Sequence, residues 1–150
     1  MPDVLFYHLE TQPLERLIPV LLEKTLERGW RAVVEVGSGE RAELLDRALW
    51  VFRDDGFLPH GLAGGEFDAD QPVLLTTGPE NGNGAEVRFF ADRAVPQSAE
   101  GYQRIVYLFS GRDPDAIIEA REAWKALRGV AGNALTYWQQ DESGRWVKRG

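Results

Sequence analysis

Ile117, Arg121, Trp124, Lys125 and Arg128 stand at offsets 0, 4, 7, 8 and 11 in the sequence. At about 100° per residue they form one stripe of a helix. Ala116, Ala120, Ala123 and Leu127 form a second, small apolar stripe suited to lie on a sheet. The first stripe therefore offers three cations around an indole. That combination can hold a short acidic peptide ending in a hydrophobic residue. Guanidinium groups grip carboxylates, bidentately where geometry permits, and the indole covers the apolar side chain. A structural role is the alternative: cations near a helix C-terminus complement its dipole, Glu119 and Glu122 can pair with them, and the tryptophan can close the edge of a core.

Trp50 is the second candidate. On a helix it lies about 140° from Leu45 and away from the inward stripe of Ala42, Leu45, Ala48, Leu49 and Phe52. With Phe57 just downstream it can form a patch for docking a partner, unless the following loop folds back over it. The third candidate is Gly37-Ser38-Gly39, a glycine turn between a strand and a helix, where backbone N–H groups can meet a phosphate. Ala42 occupies the third glycine place of a dinucleotide fingerprint, which tolerates alanine. The phosphate-loop lysine is missing, however, because Glu40 follows Gly39, and its charge repels phosphate. A small nucleotide-dependent enzyme built on this turn is the rival function. Hydrolase chemistry finds less support: there is no Gly-x-Ser-x-Gly, and neither His8 nor His60 has a serine or aspartate partner by motif.

The elements that must position these residues alternate. Asp3–Leu9 reads as a buried strand, followed by a helix after Pro13 with Leu14, Leu17, Ile18, Leu21, Leu22 and Leu26 on one face. Pro19 should kink or restart that helix, and Gly29 should end it. Trp30–Val36 reads as a strand, Ser38 as the cap of a helix from Gly39 to Val51, and Phe57–Gly65 as a loop. Val73–Thr76, Glu86–Phe90 and Ile105–Phe109 read as strands, with a turn at Asn81-Gly82-Asn83-Gly84. Asp113-Pro114 opens a helix to about Arg128, and Leu135–Arg149 holds one or two strands around Ser143-Gly144. This order predicts an α/β fold: a mainly parallel sheet with helices on both faces, in a single domain spanning residues 1–150.

Composition narrows the chemistry. The 150 residues include 17 Lys+Arg, 24 Asp+Glu, 2 His and no Cys, for a net charge of −7. Without cysteine there are no disulfides and no thiolate zinc sites or nucleophiles, and two histidines leave no multi-histidine metal site. No catalytic, cofactor-binding or metal-ligating residues are therefore assigned. From Asp54 to Glu86 there is no Lys or Arg, and seven acids (Asp54, Asp55, Glu66, Asp68, Asp70, Glu80, Glu86) concentrate the charge there. An acidic chain repels phosphate backbones, which argues against direct single-strand binding by its aromatic residues and leaves only local basic patches to attract acidic partners. No apolar run is long enough to span a membrane and no secretory signal is read, so a cytoplasmic protein is expected.

Phe6-Tyr7-His8-Leu9, then Ala48-Leu49-Trp50, Phe57-Leu58-Pro59-His60, Leu62-Ala63-Gly64, Ala120-Arg121-Glu122-Ala123-Trp124-Lys125 and Val130-Ala131-Gly132 together resemble the chi subunit family of bacterial DNA polymerase III. The resemblance covers nearly the whole chain, with gaps around residues 66–100. It implies a nucleotide-binding-like (Rossmann-like) α/β sandwich without a functional nucleotide site. It also implies a non-catalytic, clamp-loader accessory subunit that links the holoenzyme to single-stranded DNA-binding protein (SSB) by capturing its acidic, phenylalanine-ending C-terminal tail. DNA would then be contacted only indirectly. By this match Arg121, Trp124 and Lys125 take tail-binding positions, with tryptophan where the family commonly has tyrosine, and Arg128 joins them on helical geometry. Trp50 and Phe57 match the positions that dock the psi subunit, where one is present, and in some bacteria a helicase-like repair protein.

Overall fold

The computed structural model describes residues 2–10, 12–51 and 58–150. Strand β1 (Asp3–Leu9) leads into helix α1 (Leu14–Glu27), strand β2 (Ala32–Glu35) and helix α2 (Gly39–Trp50). Strands β3 (Gly61–Leu62), β4 (Val73–Thr76), β5 (Val87–Phe90) and β6 (Arg104–Ser110) follow, then helix α3 (Pro114–Arg128) and strands β7 (Ala134–Gln140) and β8 (Trp146–Lys148). They form an eight-stranded sheet in the order β3-β4-β2-β5-β6-β1-β7-β8. Every neighbouring pair is parallel except the β7–β8 hairpin. The α/β expectation holds.

A parallel sheet must be covered on both faces, which is why β2, β4 and β5 read as runs of apolar residues. Leu17, Ile18 and Leu22 of α1 and Ala42, Leu45 and Leu49 of α2 pack on Val34, Leu75, Phe89 and Val106 on one face. Ala116, Ala120, Ala123 and Leu127 of α3 pack on Val4, Phe6, Ile105 and Tyr107 on the other. The small alanine stripe lets α3 lie close to the strands.

Local chemistry sets the helix starts. Ser38 Oγ accepts from Arg41 N–H at 3.3 Å. An Asp113 carboxylate oxygen accepts from the N–H groups of Asp115 and Ala116 at 3.0 and 3.3 Å, ahead of Pro114. Pro19 does not restart α1, which runs unbroken across it. It lies in the second turn, so a single backbone bond is missing. Gly29, at φ +81°, ends the helix in a conformation that favours glycine. Strand β2 is shorter than expected because Trp30 and Arg31 give their N–H groups elsewhere, to Thr25 O at 3.3 Å and to a Glu86 carboxylate oxygen at 2.8 Å. The segment read as a loop contains the two-residue edge strand β3. Phe52 and Phe57 lie outside the described residues.

One buried charge belongs to this frame. Arg88, in the middle of β5, is 3% exposed. It donates to a Glu35 carboxylate oxygen at 2.5 Å, to Gly78 O at 2.7 Å, to Glu80 O at 2.9 Å and to Tyr102 Oη at 3.1 Å.

Candidate functional site

The register of the sheet assembles the site. Phe6 on β1 lies opposite Tyr107 on β6 and Tyr137 on β7, so three rings line one face of adjacent strands. Trp124 of α3 packs edge-on against two of them, 5.1 Å from Phe6 at 82° and 5.8 Å from Tyr137 at 75°. The indole is half-buried: one part is held by the core and the rest reaches the surface. Arg121, Lys125 and Arg128 are exposed, and none makes an ion pair with a carboxylate among the described residues. Glu119 does not neutralise them, because it pairs with Arg93 at 3.0 Å, beside the Arg93–Asp113 contact at 2.9 Å. The stripe expected from periodicity therefore stands as a cationic surface around a fixed aromatic ring.

Tyr137 is a residue that the sequence reading missed. Its phenol meets His8 Nδ1 at 2.7 Å. Burial pushes the phenol's pKa up, against the pull of the nearby Arg121 charge, so it remains a neutral hydroxyl. A signal existed in the alternation of Leu135, Tyr137 and Gln139, but the pairing to β1 that makes it meaningful is non-local. Val130, just beyond α3, is also exposed and adds apolar surface near Arg128.

His8, two residues beyond Phe6 on β1 and on the same face, joins this wall through Tyr137. Burial lowers its pKa, outweighing the opposing pull of Glu10, whose carboxylate is 3.4 Å from Nε2. The folded chain thus binds this proton less readily than the unfolded chain. The stability contributed by the neutral ring is complete above the unfolded value of about 6.5 and is lost as pH falls through the folded value. A proton NMR titration should place the His8 midpoint below that value, and His8→Gln should remove that resonance. A His8 midpoint above about 6.5 would contradict this account.

Trp50 is 54% exposed on the outer side of α2. Its indole lies 4.9 Å from the His60 ring, and His60 is held by Leu58 O at 2.7 Å and an Asp46 carboxylate oxygen at 3.0 Å. His60 is therefore a buried structural residue beside Trp50. The expected partner Phe57 lies outside the described residues.

Gly37-Ser38-Gly39 is occupied by the chain itself. Gly37 N–H donates to Asp92 O at 3.0 Å, and a side chain at Gly37 would meet that same oxygen at 2.5 Å. Gly37 thus admits the neighbouring backbone, and Ser38 serves as a cap. Among the described residues no cluster of three potential metal ligands occurs, and no helix is long and apolar enough to cross a membrane.

The model of the family described as DNA polymerase III chi subunit, HolC, matches residues 1–135, which include all of α3 and α2. The DNA polymerase III subunit chi of Pseudomonas aeruginosa is 31% identical over 88 residues, 59% of this chain and 61% of the relative. A probable DNA polymerase III subunit chi of Rickettsia prowazekii is 28% identical over 87 residues, 58% of this chain and 53% of the relative. The matched portion thus spans a little over half of either relative. With the family matched over most of its length and the α/β architecture in place, the chain belongs to the DNA polymerase III chi subunit family.

Proposed function

We propose that the protein is a non-catalytic adaptor of the DNA polymerase III holoenzyme, acting in the cytoplasm as one domain over residues 1–150. It links the clamp loader to SSB by capturing the acidic, phenylalanine-ending tail of that protein. Arg121, Lys125 and Arg128 attract the carboxylates, and the exposed part of Trp124 receives the terminal ring. The observation that carries this reading is the set of three exposed cations with no ion-pair partner among the described residues, around an aromatic ring anchored on Phe6 and Tyr137. Trp50, with Phe57, serves as a second docking patch for a psi subunit or a helicase-like repair protein. Tethering raises the local concentration of the clamp loader at coated single strands, so weak capture suffices.

Calorimetric titration with an acidic peptide ending in phenylalanine tests this. Affinity on the order of 1–10 μM is expected, lost when the terminal phenylalanine is replaced by alanine. Indifference to the terminal ring would count against an aromatic anchor on α3. The rival reading, a nucleotide-dependent enzyme, has less to stand on, because Gly37 N–H is already bound to Asp92 O.

A further inference from the structure

The face of the sheet opposite α3 carries a second basic and aromatic surface. Lys24 in the last turn of α1, its C-cap residue Arg28, and Arg104 at the start of β6 line a cavity of about 220 Å³. Leu5, Tyr7 and Leu21 share its walls, and no carboxylate lines it. Asp3 approaches from outside, 3.4 Å from Arg104. Trp30 lies beneath two of the cations, with the Arg28 and Arg104 guanidinium carbons 5.0 and 5.6 Å from its ring.

Tyr7 continues this surface toward the sheet edge. It stacks with Trp138 at 6.5 Å and 13°, and meets Trp146 edge-on at 5.2 Å. Trp30, Trp138 and Trp146 are each half-buried, so this layer ends over β7 and β8 in rings that reach the surface. The β7–β8 register sets Lys148 opposite Trp138, adding an exposed cation. Most of β7 and all of β8 lie beyond the family match, which ends at residue 135.

Three cations with a single acid beside them, Asp3 on Arg104, ask for a polyanion, and flat rings at successive positions ask for flat partners. Single-stranded nucleic acid supplies both: phosphates for the Lys24–Arg28–Arg104 cavity and bases to stack on Trp138 and Trp146. An acidic peptide satisfies the cations but leaves the row of rings unexplained. A second copy of the chain offers flat rings, but a two-fold contact through this face would set its cations against the same cations of the other copy. We propose that this face, opposite α3, binds single-stranded nucleic acid directly through Lys24, Arg28, Arg104, Trp138, Trp146 and Lys148.

The test is fluorescence anisotropy of a labelled oligo-dT of about 20 nucleotides with the full chain at about 50 mM salt. Saturable binding is expected, with a log–log salt slope near −2, corresponding to roughly three neutralised phosphates. Lys24→Glu with Arg28→Glu changes only exposed residues, at the end of α1 and its C-cap. It should weaken oligonucleotide binding at least about tenfold while leaving capture of the phenylalanine-ended peptide at its wild-type affinity. Trp138→Ala should weaken it about tenfold through lost stacking, with the circular dichroism spectrum retained. The proposal is overturned if the oligonucleotide fails to bind, or if the double variant binds it as the wild type does. It is equally overturned if that variant loses an acidic peptide instead, or if the face proves to hold a second copy of the chain.

Discussion

Replacing Arg88 with methionine is expected to lower the free energy of unfolding by about 3 kcal/mol. The side chain is buried at 3% exposure, and its removal takes a donor from each group that it satisfied. Those groups are the Glu35 carboxylate, the carbonyls of Gly78 and Glu80, and the Tyr102 hydroxyl. Breaking one side of a buried ion pair costs about 3–5 kcal/mol, and Glu35, at 22% side-chain exposure, keeps some access to water. The lower end of that range is therefore appropriate. Against a total of about 5–15 kcal/mol for a domain, such a loss is large. Urea unfolding should show a lower midpoint with an unchanged slope. Glu35→Gln in the Arg88→Met background should recover part of the loss, since it removes the stranded charge. A loss below about 1 kcal/mol would mean that Arg88 is replaceable and that the β2–β5 pairing does not depend on it.

Arg88 also illustrates what a linear reading misses. An arginine in the apolar run Val87–Phe90 looks like a surface residue of an edge strand, because its partners arrive from three separate segments. By contrast, β1 and α3 were legible almost to the residue. Their signals are local: an apolar run for the strand, and for the helix an Asp-Pro start and a stripe of alanines. Strand β3 was not legible, since two residues carry no period and Gly61–Leu62 is defined only by its pairing with β4. The same division runs through the candidate site. Arg121, Trp124, Lys125 and Arg128 follow from helical periodicity, whereas Phe6 and Tyr137, which fix the indole, depend on strand pairing.

The basic face on the other side of the sheet was hidden twice over. Its residues are scattered from position 5 to position 148, and the net charge of −7 argues against it. That net charge equals the seven acids between Asp54 and Glu86, so the rest of the chain is balanced and free to hold a local excess of either sign. Some of those acids also serve structure rather than solvation. Asp68 accepts from the N–H groups of Gly64 and Gly65 at 2.9 and 3.0 Å, and Glu86 from that of Arg31 at 2.8 Å.

Reversing both Arg121 and Lys125 to glutamate should weaken capture of an acidic, phenylalanine-ended peptide about 30- to 100-fold, equivalent to roughly 2–3 kcal/mol. Each reversal removes an attraction and adds a repulsion of similar size, and exposure holds each to about 1 kcal/mol or slightly more. The fold should survive, because neither residue makes an ion pair with a described carboxylate and both point away from the Ala116, Ala120, Ala123 and Leu127 face. The cost to the helix is the lost favourable interaction of Lys125 with the dipole, about 0.3–1 kcal/mol. Trp124→Ala is a poorer probe, since the ring also packs on Phe6 and Tyr137 and its loss opens a cavity. Salt provides the internal control. Wild-type affinity should fall as ionic strength rises, and the reversed variant should respond in the opposite sense, because screening then relieves repulsion. Should the double variant bind the peptide within twofold of the wild type, Arg121 and Lys125 have no part in recognition and the peptide must dock elsewhere.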